Sequence, residues 1–380
     1  MGSGTFQAAR MISVVIPTYN EAAVIEQTLR KSAAALQRVE EEFELIVVDD
    51  SSSDGTAELA EALAAEFPVR VLRRPGRLGL ATAVIDGWAM ARGDLLAVMD
   101  ADLQHPPEVL SELVKVLRRP RTDLALASRY ARGGGILEWS LIRRFISWAA
   151  TQLAASVLPL TLADVSDPMS GMFALRKPVL EGVKLNPVGY KILLEVLAKG
   201  LYSKFAEVPY VFVQRGHGSS KLGARQYIEY LFHLARLARS TGQLSAWVRY
   251  GLVGLSGAAV NLVLLQVFVE QLGWRLVLGL PVAIQLALLN NFLWNEVLTF
   301  RRQHVGQAGG RGVLSRLFRY ETVCASGAIV NLAVALIIAD RRVQPLFAAA
   351  GGIAAGGLWN FVLNVPAIWR IWGSPRPSSS

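Results

Sequence analysis

The sequence predicts two structural classes in one chain, an α/β domain with a mostly parallel sheet followed by an all-α membrane domain. Over the first hundred residues, short apolar runs typical of buried strands alternate with segments of helical spacing, which is the pattern of a parallel α/β sheet. Beyond Ala246 the chain has four runs without a charged residue, at 251–269, 276–295, 322–339 and 343–369. Each run reaches the roughly 17–25 residues that a helix needs to cross a bilayer. The composition, with 52% hydrophobic and 18% charged residues, agrees with a membrane part.

The α/β pattern is explicit in the order of the segments. Apolar runs predict strands at 12–20, 69–74 and 94–100 and a strand followed by a polar turn at 43–56, and helical spacing predicts helices at 21–39, 57–67 and 79–92. Ligands of such sheets bind at the carboxyl ends of the strands. Polar clusters fall at these ends: Tyr19 with Asn20, Asp49 with Asp50, and Asp100 with Asp102. The sequence therefore predicts a binding site at this edge of the sheet.

Asp100 and Asp102 raise the question of a cation site. On an extended backbone, residues i and i+2 face the same side, and two carboxylates there repel each other unless a cation lies between them. Mg²⁺ and Mn²⁺ prefer oxygen ligands, and Gln104 continues the same series. A charged turn followed by two prolines is the alternative, and it is the better explanation of such a pair considered alone.

Two segments between the predicted sheet and the membrane runs have apolar faces with basic residues nearby. The segment 141–160 places Ile142, Phe145, Ile146, Ala149, Leu153 and Val157 on one face, and the segment 227–244 mixes aromatic with basic residues. Such helices either lie at a bilayer surface or pack on an ordinary core, and the sequence leaves both interpretations open.

The membrane part contains an internal repeat. "RYGLVGLSGAAVNL" (249–262) matches "RYETVCASGAIVNL" (319–332), and "NFLWN" (291–295) matches "NFVLN" (360–364). Each repeat is therefore predicted to be one helical hairpin. Asparagines recur within these apolar helices, at Asn261, Asn331, Asn291, Asn295, Asn360 and Asn364. Packing between helices is their expected role, because an amide in hydrocarbon needs a partner.

The net charge of +9 has a membrane interpretation. The predicted loop 301–319 has five arginines and no acidic residue, and basic flanks stay on the cytoplasmic side. This places residues 1–245 in the cytoplasm, although Arg341 and Arg342 oppose that orientation. A nucleic-acid partner is disfavoured, because the basic residues cluster at the ends of the membrane runs and no nucleic-acid motif is present. The single cysteine, Cys324, cannot form an intramolecular disulfide.

Six motifs together carry a family resemblance. "VIPTYNE" (15–21), "IVVDDSSSDGT" (46–56) and "MDADLQHPPE" (99–108) resemble the inverting family-2 glycosyltransferases with the GT-A fold, a Rossmann-like sheet. "SRY" (128–130), "DPMSGMFAL" (167–175) and "VQRGHGSSKLG" (213–223) narrow this to the dolichol/polyprenol-phosphate mannose synthases, and the repeated tail resembles the GtrA-like membrane domain. The resemblance divides the chain into an N-terminal tail (1–11), a GT-A domain (12–222), an interfacial helix or linker (223–248), a membrane domain (249–370) and a disordered tail (371–380). The four uncharged runs predict four spans, at about 250–270, 276–298, 320–339 and 343–368.

The resemblance also implies roles for individual residues. The nucleotide-sugar site comprises Pro17, Tyr19, Glu21, Asp49, Asp50, Asp100, Ala101, Asp102, Gln104, Arg215 and Lys221. Asp100, Asp102 and Gln104 are the implied metal site, and Arg129, Arg143 and Ser147 the implied site of the lipid phosphate. Asp102, Arg129, Arg143 and Arg215 are the implied catalytic residues.

The implied reaction is metal-dependent transfer of a hexose, with inversion, to a polyprenyl or dolichyl phosphate at a membrane that we expect to be a prokaryotic cell membrane. GDP-mannose is the expected donor, and Mg²⁺ or Mn²⁺ the expected cofactor. A phosphate acceptor is largely ionised at neutral pH because its second pKa is about 6, so we expect His105 to pack in the turn and not to act as a base. UDP-glucose as donor and a lipid-linked-sugar translocase remain alternatives. A processive polysaccharide synthase is disfavoured because the QxxRW motif is missing.

Overall fold

The computed structural model describes residues 11–39, 42–137, 139–162, 164–213, 224–299, 310–340, 351–352 and 355–363. The chain forms two compact units. The first unit comprises Met1–Ser147, Val165–Leu237 and Pro375–Ser380, and the second comprises Trp148–Asp164 and Ala238–Ser374.

A seven-stranded sheet forms the centre of the first unit. Its strands, in the order β3-β2-β1-β4-β7-β5-β8, are β3 (Val69–Arg73), β2 (Glu42–Asp49), β1 (Met11–Thr18), β4 (Leu95–Val98), β7 (Phe173–Arg176), β5 (Leu124–Ser128) and β8 (Phe205–Pro209). Strand β7 is antiparallel to both of its neighbours, and the other pairs are parallel. The prediction of a mostly parallel α/β sheet is therefore confirmed.

The register and burial of the central strands explain their sequence. Thr18 at the end of β1 pairs with Asp49 at the end of β2, so the polar residues that follow the two strands lie at one edge. Ile12 and Ile16 are fully buried, because a parallel strand covered on both faces is a continuous apolar run.

Eleven helices are named in chain order within the described part of the chain. They are α1 (Ala22–Gln37), α2 (Thr56–Ala62), α3 (Leu80–Ala89), α4 (Val109–Leu117), α5 (Leu141–Val157), α6 (Pro159–Leu162), α7 (Ile192–Lys199), α8 (Ala224–Ser240), α9 (Leu244–Gln266), α10 (Leu276–Trp294) and α11 (Gly310–Asp340). The first three agree with the predicted helices to within a few residues. Ile25 and Leu29 of α1 and Leu113 of α4 are buried in the same core, so the apolar stripes of these two helices cover the sheet.

A second, two-stranded sheet pairs β6 (Gly135–Ile136) in parallel with β9 (Val211–Phe212). Both strands are short, but they bring together two loops that are distant in sequence. One follows Arg129, and the other precedes the predicted basic loop 213–223, of which only Val213 lies among the described residues.

Helices α5 and α8 both expose large apolar side chains. Leu141, Ile142, Phe145 and Ile146 of α5 and Tyr227, Ile228, Leu231 and Phe232 of α8 are exposed. Exposed apolar patches mark membrane or protein contact sites more often than free surface. Their exposure favours the interfacial interpretation for both helices, which stays a prediction.

The second unit contains long apolar helices. Two segments, Trp247–Gln271 and Gly312–Ile338, are long and apolar enough to cross a membrane. The end of α9 continues as a wider helical turn over Val267–Gln271, and α10 continues in the same way over Asn295–Thr299. Residues 351–352 and 355–363 are also helical, but much of the predicted fourth span lies outside the described residues, so the number of four spans stays a prediction.

The predicted loop 301–319 is wrong in its second half. Helix α11 begins at Gly310 and runs without interruption to Asp340, whereas residues 301–309 lie outside the described part. The basic residues Arg316 and Arg319 therefore lie on the helix itself. Arg316 is 7% exposed and pairs with Glu296, the acidic residue that follows α10, and such a pair lets a charged residue join a helix end.

The internal repeat is visible in the contacts between helices. Asn290 Nδ2 donates to Ser256 Oγ at 3.2 Å, and Trp359 Nε1 donates to Ser326 Oγ, the matching hydroxyl of the second repeat, at 2.8 Å. Gly257 packs on the amide of Asn291 and Gly327 packs on the amide of Asn360, so closely that a Cβ at either glycine would overlap the amide. Small residues let membrane helices approach and satisfy polar groups in this way.

Candidate functional site

The chain makes a turn directly after β4, and this turn carries the acidic pair. Strand β4 ends at Val98, and Leu103 has a φ of 58° in the left-handed region. The expectation that Asp100, Asp102 and Gln104 lie on one side of an extended backbone is therefore wrong. The turn itself keeps Asp102 and Gln104 near each other, because Gln104 N donates to Asp102 Oδ1 at 3.1 Å.

Gly171, in the predicted motif "DPMSGMFAL", leaves the space that the Asp100 carboxylate occupies. A Cβ at this position would overlap Asp100 Oδ2 and would lie 3.2 Å from His105 Cε1. The motif contains this glycine, but the sequence alone does not indicate its role. Its role follows from the close approach of two loops that are far apart in sequence.

The donor set of this turn fits a hard divalent cation. Asp100 and Asp102 supply carboxylate oxygens, and Gln104 donates through Nε2 to Val213 O at 3.5 Å, which identifies its carbonyl oxygen as the acceptor end. Within the described ranges, no three His, Cys, Asp or Glu side chains form a metal-binding group. A cation held here by two carboxylates would need further ligands such as phosphate oxygens, and Mg²⁺ is commonly bound in that way.

His105 is packed inside the turn. Its ring is stacked on Tyr210 with centroids 5.1 Å apart and meets the edge of Phe212 at 5.5 Å. Its Nδ1 lies 3.9 Å from Asp100 Oδ2. Burial lowers the pKa of His105 to about 4, so the imidazole is neutral at physiological pH. This placement agrees with the expectation that His105 packs in the turn.

Asp49 and Asp50 hold the loops at the end of β2. Ser52 donates to Asp49 through both its backbone N, at 2.9 Å, and its Oγ, at 2.6 Å. Asp50 forms a buried ion pair with Arg74 at 2.8 Å and accepts a hydrogen bond from Gly79 N at 2.8 Å. These carboxylates shape the predicted nucleoside pocket, and direct contact with a nucleoside stays a prediction.

The end of β1 contributes Pro17, Tyr19 and Glu21 to the same edge. The guanidinium of Arg77 lies 4.2 Å from the centre of the Tyr19 ring, a cation–π distance. Arg77 was not predicted, because it follows β3 at a distance in sequence. Ala101, the other predicted nucleotide contact, is buried, and its carbonyl accepts from Thr28 Oγ1 at 2.7 Å.

Arg129 is held by a buried carboxylate. Asp167 is fully buried and accepts from Arg129 Nε and Nη2, both at 2.7 Å, and from Arg129 N at 3.0 Å. This bidentate ion pair fixes the plane of the guanidinium, and the hydrogen bonds to Asp167 raise the pKa of Arg129. The sequence places Asp167 in a motif without indicating a role for it. Its role follows from its burial, because a buried acidic residue needs a cationic partner.

The structure brings together the three residues predicted to bind a lipid phosphate. The guanidinium of Arg143 lies 4.3 Å from the centre of the Trp139 ring, and that of Arg129 lies 5.5 Å from it. Ser147 Oγ is 3.2 Å from the hydroxyl of Tyr130, the residue after Arg129. Arg143 and Ser147 come from α5, so the amphipathic helix also carries part of the site.

Lys191 is a further cation of this site that the sequence did not indicate. Its Nζ donates to Met169 O at 2.7 Å and lies 4.7 Å from the centre of the Tyr190 ring. Burial and the neighbouring Arg129 lower the pKa of Lys191 to about 8. Lys191 belongs to none of the six motifs. It reaches this site because it directly precedes α7 and contacts the loop that contains Met169. The two predicted cations Arg215 and Lys221 lie outside the described residues.

Comparison with known proteins gives matches over both parts of the chain. The model described as "Glycosyl transferase family 2" matches residues 13–183, and "GtrA/DPMS, transmembrane domain" matches 249–369. A dolichol-phosphate mannosyltransferase of Pyrococcus furiosus is 42% identical over 94% of this chain and 99% of the relative. Another, from Saccharomyces cerevisiae, is 41% identical over 59% of this chain and 86% of the relative.

One solved structure that resembles this chain is distant in sequence and in fold. A mannosyltransferase from Pyrobaculum calidifontis, solved with GDP-Man and Mn²⁺, is 17% identical with a TM-score of 0.41, covering 95% of this chain and 86% of that chain. A similarity at this level carries no argument about the site.

Proposed function

We propose that this chain, which belongs to the dolichol-phosphate mannosyltransferase family of the family-2 glycosyltransferases, transfers mannose from GDP-mannose to a polyprenyl or dolichyl monophosphate. The observation that carries the proposal is one cluster at the end of β4, where the pair Asp100 and Asp102 lies near the fixed cation Arg129. The names of the relatives support the mannosyl product and the lipid phosphate. A membrane domain on the same chain supplies an anchor beside a lipid acceptor.

A divalent cation would be held by Asp100, Asp102 and Gln104. When bound, Mg²⁺ or Mn²⁺ offsets the negative charge that develops on the leaving diphosphate. The residues of the chain provide the rest of the site. Asp49 and Asp50 hold the loops of the nucleoside pocket, and Gly171 keeps the place of the Asp100 carboxylate open.

The acceptor is activated by its own ionisation. An oxygen of the lipid phosphate attacks the anomeric carbon of the mannosyl group from the face opposite the diphosphate. The bond to GDP breaks with its electron pair, and the anomeric centre is inverted. No general base is required, because the phosphate is already ionised, and this fits the buried, neutral His105. Arg129, Arg143 and Ser147 would orient the phosphate, for which guanidinium groups are suited.

The chain is a membrane protein, and we infer that its first unit faces the cytoplasm. The support is the charge pattern: Arg316 and Arg319 lie in the first three turns of α11, and basic residues at the ends of membrane helices favour the cytoplasmic side. In the proposed arrangement, the exposed apolar faces of α5 and α8 lie at the same membrane surface.

A transfer assay tests this function. The full chain, purified in detergent, is incubated with polyprenyl phosphate, Mn²⁺ or Mg²⁺, and either labelled GDP-mannose or labelled UDP-glucose. We expect labelled lipid from GDP-mannose, abolished by chelation and reduced at least about 100-fold in Asp102→Asn. Asp123→Asn is the matched control, because Asp123 precedes β5 at the opposite edge of the sheet and holds Ser203 N at 2.8 Å.

Three results would contradict the proposal in different ways. Labelled lipid from UDP-glucose alone would show that UDP-glucose, and not GDP-mannose, is the donor. Full activity of Asp102→Asn would remove the metal site from this turn. No labelled lipid from either donor would exclude the transferase reaction with these substrates.

A further inference from the structure

We propose that Lys191 binds the phosphate monoester of the lipid acceptor together with Arg129. The inference rests on the proposed function and extends it to a residue outside the motifs that define the predicted site.

The position of Lys191 is set by the loop that supports both halves of the site. Its Nζ donates to the carbonyl of Met169 at 2.7 Å. Met169 lies between Asp167, which holds Arg129, and Gly171, which accommodates Asp100. The ammonium therefore lies beside the loop that connects the acidic turn to the arginine.

Lys191 and Arg129 equal the two nearby carboxylates in charge, but both carboxylates have other partners in the proposed site. The strongest electrostatic neighbours of Lys191 are Arg129, Asp100 and Asp167. Asp167 is already paired with Arg129 through two hydrogen bonds, and Asp100 belongs to the predicted cation site. Two cations held close together at a partly buried position repel each other, and a dianionic phosphate between them would remove that repulsion.

Both cations also keep donors for a ligand. In the described part of the chain, Arg129 uses Nε and Nη2 on Asp167, which leaves Nη1 without a hydrogen-bond partner. Lys191 uses one of its three N–H bonds, on Met169 O. An ammonium with its remaining protons directed at phosphate oxygens is a common phosphate-binding group.

The acceptor fits this position better than the donor. Arg129 lies beside Trp139, the ring that also contacts Arg143 of α5, so the arginine belongs to the side of the site formed by the amphipathic helix. The diphosphate of the donor is expected at Asp100 and Asp102, where a divalent cation would meet it. A monophosphate at Arg129 is therefore the substrate anion that we expect beside Lys191.

The test compares Lys191→Met with Lys191→Arg in the full chain. Initial rates are measured with polyprenyl phosphate varied at saturating GDP-mannose, and then with the two roles exchanged. Binding of GDP-mannose with Mn²⁺ is measured separately by calorimetry, without an acceptor. Lys115→Met is the control, because Lys115 is an exposed lysine of α4 paired with Glu112.

We expect Lys191→Met to raise the KM for polyprenyl phosphate about 10- to 100-fold, the range for losing a hydrogen bond to a charged group. The KM and the Kd for GDP-mannose should change less than about two-fold, since one lost contact to the acceptor leaves the donor site intact. Lys191→Arg keeps the charge and should recover most of the acceptor affinity.

Other outcomes overturn the inference. An equal loss of donor and acceptor affinity would show that Lys191 only clamps the loop through Met169. An unchanged KM for polyprenyl phosphate in an active variant would also refute it and leave the proposed function intact. If Lys191→Met does not fold, Lys191→Arg decides: a folded charge-keeping variant without acceptor affinity, but with normal donor binding, contradicts a role of the charge. A wild-type chain without transferase activity would overturn both proposals.

Discussion

Replacing Gly171 with alanine should damage the proposed metal site while leaving the fold nearly intact. The new Cβ would lie 3.0 Å from Asp100 Cγ and closer still to Oδ2, whereas carbon atoms normally meet at about 3.5–4.0 Å. The carboxylate must therefore move by about 1 Å. The Asp100 side chain is 29% exposed and can rotate away. We therefore expect a small loss of stability and a displaced carboxylate at the proposed metal site. Since Mg²⁺ requires oxygen ligands at about 2.0–2.1 Å, and a misplacement of about 1 Å can cost about 100-fold in rate, we expect a loss of that size.

The assay is mannosyl transfer at saturating substrates over a titration of Mn²⁺. Gly171→Ala should show a lower rate and a higher half-saturating Mn²⁺ concentration, with a thermal unfolding midpoint close to wild type. Gly135→Ala is the matched control, because a Cβ there meets nothing within 4 Å. Wild-type rate and metal dependence in Gly171→Ala would refute the reasoning. So would full additivity with Asp100→Asn, because effects acting through one side chain are not additive.

Three further predictions concern other parts of the chain. Asp167→Asn should lower the free energy of unfolding by about 3–5 kcal/mol, because it leaves the buried charge of Arg129 without its partner. Thermal unfolding measures this loss, and an unchanged midpoint would contradict the prediction. Burial lowers the pKa of His105 to about 4 from 6.5, so the unfolded chain binds more protons between those values and stability should rise with pH across that window. His105→Phe should flatten this rise in unfolding midpoints measured from pH 4.5 to 6.5, and an equal slope would show that other groups cause it. Gly257→Ala should lower the unfolding midpoint in detergent because it displaces an amide from the neighbouring helix, whereas Gly254→Ala, with nothing within 4 Å, should not; equal midpoints would contradict the packing role.

The part of the site that follows local pattern could be predicted from the sequence. Strands β1, β2 and β4 are apolar runs that end in polar residues, and parallel strands bring those ends to one edge. The detailed geometry after β4 could not be predicted. It depends on the left-handed conformation of Leu103, which a leucine rarely adopts without support from the surrounding structure.

The other supports of the site arise from contacts between distant segments. Strand β7 inserts between β4 and β5 and runs against both, and the loop before it brings Asp167 and Gly171 to the acidic turn. Lys191 reaches the same loop from the position before α7. A single sequence shows the residue types at these positions but not the tertiary proximity that gives them a role. The prediction of a loop up to residue 319 failed for a related reason, because basic residues can belong to the end of a long helix as well as to a loop.

The buried pair of Arg129 and Asp167 has a consequence for how strongly an acceptor can bind. A long, flexible side chain that is ordered only on binding loses about 0.5–1.5 kcal/mol of conformational freedom. Arg129 has already lost that freedom in folding, because three hydrogen bonds to Asp167 hold its backbone and its guanidinium. In the proposed reaction, the lipid phosphate therefore binds a guanidinium that is already ordered before the acceptor arrives. In that reaction, the affinity for the lipid acceptor would be set mainly by the rate at which the acceptor leaves the site, because a preformed contact needs no ordering step that would slow its arrival.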